Sequence, residues 1–138
     1  MANILVVDDD RDVASALAML LQLDGHTVRY AEDGQAGLEA LNGYLPEVVC
    51  LDVDMPRLNG PDLAYRLIVE DAGKELIPII LVSGVANLVQ VAQEVGTPYF
   101  VRKPFSLEAI EVTLARALKE HCAPHPPRKE GFAVEPRR

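Results

Sequence analysis

Three short runs in this chain are apolar at every position: Ile4-Leu5-Val6-Val7, Val48-Val49-Cys50-Leu51 and Ile79-Ile80-Leu81-Val82. A strand with one wet face alternates apolar and polar residues, so a strand apolar throughout must be covered on both faces. Two less uniform strand patterns, His26–Tyr30 and Tyr99–Arg102, complete a set of five. Between and after them, apolar residues recur at the helical spacing. Five strand–helix pairs in strict alternation predict an α/β fold with a doubly wound (βα)5 sandwich around a parallel sheet.

The helix ends carry their own signals. Val13, Ala16, Leu17, Leu20, Leu21 and Leu23 mark the first helix, with Asp9 or Asp10 as its cap and Gly25 as its stop. Asp33 caps the second, and Pro61 suits the first turn of the third, where Leu63, Leu67 and Ile68 can face inward. Leu88, Val91, Ala92 and Val95 mark a fourth helix ending at Gly96; Ser106 caps a fifth with Leu107, Ile110, Leu114, Ala117 and Leu118 inward. From about Lys119 the periodicity stops. Residues 1–120 read as one domain and 121–138 as a Pro-rich mobile tail or linker.

With 13 Lys and Arg against 21 Asp and Glu, the formal charge is −8, which argues against nonspecific nucleic-acid binding. Cys50 lies in an apolar strand and Cys122 in the tail, which is no disulfide framework and predicts a reducing, cytoplasmic setting. Met1-Ala2-Asn3 has no basic n-region or long apolar stretch, so no signal peptide is expected, and no run is long enough to span a membrane.

In a doubly wound sheet the functional crevice lies beyond the carboxyl ends of the strands. There the first strand delivers Asp8 and Asp9, the third Asp52 with Asp54 two residues on, the fourth Ser83 and the fifth Lys103. Two carboxylates about 5 Å apart repel by roughly 3 kcal/mol at an effective dielectric constant of 20. Asp8, Asp9 and Asp52 therefore either share a proton or hold a cation. An all-oxygen donor set suits Mg²⁺, which takes few carboxylates and phosphate oxygens. A carboxylate beside such a cation is a nucleophile toward phosphorus, and Lys103 and the Ser83 hydroxyl can pair with phosphoryl oxygens.

The four segments that carry these residues are Ile4–Asp10, Leu51–Gly60, Val82-Ser83-Gly84 and Val101–Phe105. In that order and at four strand ends, they resemble the receiver domain of two-component response regulators. The resemblance covers about residues 2–119. It implies a flavodoxin-like sheet of order 2-1-3-4-5, with Asp52 as phosphoacceptor and Lys103 and Ser83 beside it. It implies Mg²⁺ held by Asp8, Asp9, Asp52 and the backbone carbonyl of Asp54. Ser83 and Phe100 stand where the switch residues stand. The implied donor is a sensor histidine kinase or His-phosphotransfer protein. The implied output is a downstream protein bound on the helix 4–strand 5–helix 5 face, without direct nucleic-acid or membrane binding, with a homodimer on activation left open. The resemblance departs at Gly96-Thr97-Pro98-Tyr99, where a run of small residues is more usual.

Two rival readings stay on the table. Asp52-Val53-Asp54 is similar to the start of haloacid-dehalogenase-type phosphatases, but Asp52 is on the third strand and no cap domain fits in the chain. The other rival is a receiver-like interaction module that is never phosphorylated. Asp10 reads as a helix cap only, Cys50 as core packing, and His26, His121 and His125 as surface residues without a role. Phe100 reads equally well as a static core aromatic.

Overall fold

The computed structural model describes residues 2–52 and 60–126, the side chains of 60–66 excepted. The elements alternate as expected: β1 (Asn3–Val7), α1 (Arg11–Leu23), β2 (Thr27–Ala31), α2 (Gly34–Gly43), β3 (Val48–Leu51), α3 (Gly60–Lys74), β4 (Ile79–Ser83), α4 (Leu88–Val95), β5 (Tyr99–Arg102) and α5 (Leu107–Glu120). All strand pairs are parallel and the order is β2-β1-β3-β4-β5.

The period of two along each strand splits the apolar runs between two cores. Ile4, Val6, Val48, Cys50, Ile80, Val82, Tyr99 and Val101 pack with α1 and α5. Leu5, Val7, Val49, Leu51, Ile79 and Leu81 pack on the other side with α2, α3 and α4. Cys50 is a core residue, and burial pushes its thiol up to about 12, well away from reactive thiolate chemistry.

Capping follows the sequence. Asp10 accepts from the Asp12 and Val13 amides, Asp33 from Ala36 and Ser106 from Ala109. The apolar stripe of α1 is narrower than its sequence suggests: Ala14, Leu17 and Leu21 are buried, whereas Ala16 and Leu23 are exposed. The inward line runs through i, i+3 and i+7, and those two residues fall to either side of it; on α5 the same line takes in Ile110, Leu114 and Ala117 and leaves Leu107, expected inward, exposed in the first turn.

The unusual approach to β5 has a structural use. Thr97 is buried; its hydroxyl donates to the Ile79 carbonyl at 2.6 Å and accepts from the Tyr99 amide at 3.2 Å. It thereby ties the start of β5 to the start of β4. Thr97→Val removes both bonds inside the fold and is expected to cost about 1–3 kcal/mol. The check is a lower denaturant midpoint at unchanged slope.

Residues 121–126, the first part of the segment expected to be a tail, lie packed against the domain. Pro124 is buried, and the His125 amide donates to the Gly96 carbonyl at 2.9 Å. Residues 127–138 lie outside the described residues. Nor is His26 idle, since its Nδ1 accepts from the Ala2 amide at 3.0 Å and fixes the start of β1.

Candidate functional site

The ladder of the sheet places the site residues one after another. The Asp8 amide donates to the Ala31 carbonyl at the end of β2, at 3.1 Å. The Asp52 amide donates to Val7 of β1 at 2.9 Å, and the Lys103 amide to Ser83 of β4 at 2.8 Å. Each residue continues the parallel bonding one step past its strand, so the backbone alone brings them to one edge.

There Asp8, Asp9 and Asp52 each place a carboxylate oxygen within 4.8 Å of the others. Asp8 and Asp52 are each 2% exposed, while Asp9 is open to solvent. Lys103 Nζ lies 3.1 Å from Asp8 Oδ2 and 3.4 Å from Asp52 Oδ2, bridging β1 and β3 from β5. Burial alone lowers the Lys103 pKa, but its hydrogen bond to Asp8 and the charge of Asp52 outweigh this, and the net shift is upward. The ammonium stays charged throughout the physiological range.

Three carboxylates against one ammonium leave a formal charge of −2 in this cluster. The donors are all hard oxygens, and one acid faces solvent. This set fits a divalent oxygen-seeking cation such as Mg²⁺. Asp54, whose carbonyl is expected to complete the ligands, lies outside the described residues.

Ser83 is fully buried at the end of β4, and its hydroxyl accepts from the Val85 amide at 3.2 Å. Phe100 is no core aromatic: it is 37% exposed and pairs in register with Leu81. Asp10 is the cap of α1, and its own amide donates to Asp8 Oδ1 at 2.8 Å.

The structure adds two residues that sequence reasoning passed over. The Tyr30 hydroxyl donates to the Asp8 carbonyl at 2.8 Å, holding the turn that presents Asp8 and Asp9. Arg102 Nη1 donates to the Val85 carbonyl at 2.7 Å and so holds the loop that follows Ser83. Position was the available signal: both stand at strand ends on the functional edge. Tyr30→Phe is expected to weaken Mg²⁺ binding about fivefold, the equivalent of one hydrogen bond of roughly 1 kcal/mol. Calorimetric titration with Mg²⁺ checks it.

A cleft of about 490 Å³ lined by Leu41, Tyr44, Leu45, Asp71, Lys74 and Ile77 opens at the amino ends of β3 and β4, away from all these groups. No helix among the described residues is long and apolar enough to cross a membrane.

Residues 4–115 match the family model described as the response regulator receiver domain. The response regulator MprA of Mycolicibacterium vanbaalenii is 35% identical over 123 residues, which are 88% of this chain and 52% of that protein. The chain thus spans about half the length of such curated relatives. Among solved structures, NtrX from Brucella abortus superposes with a TM-score of 0.73 at 34% identity, over 87% of this chain and 27% of that one. A CheY-like response regulator receiver domain protein from Methanospirillum hungatei matches in fold, with a TM-score of 0.75 at 20% identity over 88% of this chain and 96% of its own.

Proposed function

The chain belongs to the response-regulator receiver domain family, a signalling module of two-component systems rather than a classical enzyme, and from that membership we propose that Asp52 is its phosphoacceptor. Response regulators take phosphoryl groups from histidine kinases and act on downstream effectors. The observation that carries the residue assignment is Lys103 Nζ standing within 3.4 Å of acids from two separate strands.

In the proposed reaction, a carboxylate oxygen of Asp52 attacks the phosphorus of a phosphohistidine on a partner kinase or phosphotransfer protein. The P–O bond forms as the P–N bond breaks, and the departing imidazole keeps its electron pair. Asp8, Asp9, Asp52 and the Asp54 carbonyl are the ligands assigned to Mg²⁺, which when bound neutralises charge on the phosphoryl oxygens. Lys103, already oriented by Asp8, pairs with one phosphoryl oxygen, and the Ser83 hydroxyl turns from the Val85 amide to donate to another.

That movement draws the Ser83 loop toward Asp52. Phe100 then leaves its exposed position for the vacated space, changing the face built by α4, β5 and α5. A downstream protein reads this face. Moving such a two-state element from 1:99 to 99:1 takes about 5.5 kcal/mol of differential interaction. A dianionic group held by a cation, an ammonium and a hydroxyl is of the right strength. The domain extends over residues 1–120, and the setting is cytoplasmic.

The test is a two-dimensional amide spectrum with and without beryllium fluoride and Mg²⁺. Shifts are expected at Asp8, Asp9, Asp52, Ser83 and Lys103 and outward to Phe100 and α4. A spectrum unmoved at saturating mimic defeats the proposal.

A further inference from the structure

We propose that residues 121–126 form a strap that holds α4 and β5 in their resting positions, so that undocking of the strap and phosphorylation of Asp52 favour one another. The inference rests on the switch described above and adds to it a regulatory element at the opposite end of the sheet.

The strap is built by a series of specific contacts. His121 ends α5 in the left-handed conformation, φ 56°, and turns the chain back. The Cys122 amide then donates to the Tyr99 hydroxyl at 3.3 Å, and that hydroxyl donates to Glu120 at 2.9 Å. Pro124 is buried, with its carbonyl 3.2 Å from where a Cβ on Gly73 of α3 would stand. The His125 amide donates to the carbonyl of Gly96, the left-handed cap of α4 with φ 81°. A Cβ at Gly96 would overlap the backbone of His125 and Pro126. Two glycines on two different helices thus leave room for one extended segment.

The strap grips the far ends of the elements that carry the switch. β5 runs from Tyr99, held by Cys122, to Arg102, and Lys103 follows it. α4 runs from the loop after Ser83 to Gly96, held by His125. α4 has only eight residues, and Asn87 at its start makes no side-chain cap bond. Buried Leu88 and the Arg102–Val85 bond hold its leading side, and the Gly96–His125 bond ties its trailing end to the strap. If the Ser83 loop and α4 shift when Asp52 is modified, the Gly96–His125 bond must stretch or break. Coupling between two such sites is reciprocal: what loosens the strap must also favour the modified state.

The test uses the full chain, with beryllium fluoride plus Mg²⁺ as the probe. Pro124→Asp places a charge at a buried position of the strap and undocks it. It is expected to raise the apparent affinity for the mimic at least threefold in amide-spectrum titrations, and Pro124→Val, an uncharged side chain of similar size at the same buried position, returns it toward wild type. In the unaltered chain, saturation with the mimic is expected to speed hydrogen exchange at the His125 amide. An unchanged or lower affinity of Pro124→Asp overturns the proposal, as does undiminished protection of His125. Failure of the unaltered chain to bind the mimic strikes instead at the Asp52 assignment and removes the switch on which the strap acts.

Discussion

Asp52→Asn abolishes phosphoryl incorporation from a small-molecule donor with Mg²⁺, reducing intact-mass labelling to background. The amide oxygen is a far weaker nucleophile than the carboxylate, and the change also takes one charge from the set that attracts the cation. The loss is chemical rather than structural. Asp52 is held by its backbone amide on Val7, which the substitution leaves in place. Its side chain shares a cluster of net charge −2 with Asp8, Asp9 and Lys103, so a neutral isostere gives up the ion pair to Lys103, which keeps Asp8, but relieves carboxylate repulsion and creates no cavity. The thermal midpoint without Mg²⁺ is therefore expected to stay level or rise. Labelling of the variant at the wild-type level would remove Asp52 from its assigned role.

The sheet was legible because its strands could be read in two ways at once. Uninterrupted apolar residues in Val48–Leu51 require two covered faces, and the acid that follows marks the end of the strand. The site was legible for the same reason, since strand ends in a parallel sheet converge. Less legible were contacts that depend on what lies across a gap. Tyr30 and Arg102 reach backbone carbonyls of other elements, and no spacing rule encodes such a reach. Phe100 occupies a strand position that composition assigns to the core, yet β5 is an edge strand and its face there stays open. The segment after α5 has the composition of a linker, and the glycines at 73 and 96 leave room for it against the domain. The departure noted at Gly96-Thr97 is thus the trace of two tertiary contacts, one to the strap and one to Ile79.

Lys103→Met separates two roles that one ammonium performs. In the resting protein, Lys103 offsets buried acids from β1 and β3. Removing one partner of a buried ion pair typically costs 3–5 kcal/mol, and the residual exposure of this lysine argues for the lower end, about 3 kcal/mol. The pH dependence carries a sign. The folded pKa of Lys103 is raised, so its contribution is complete below the usual lysine value of 10.5 and is lost as pH climbs through the raised value. The wild-type chain should show this alkaline loss of stability and the variant should lack it. Mg²⁺ should restore the variant more than the wild type, because three unneutralised carboxylates attract it more strongly. In the modified protein the same ammonium links the phosphoryl group to β5. Asp52 of the variant should still accept phosphoryl, because its nucleophile and acidic ligands remain. Amide shifts on binding beryllium fluoride should then stay close to Asp8, Asp9 and Asp52 and fail to reach Phe100 and α4. If the variant reproduces the full wild-type pattern of shifts, Lys103 is a charge balance only, and the route from Asp52 to the outer face runs through Ser83 alone.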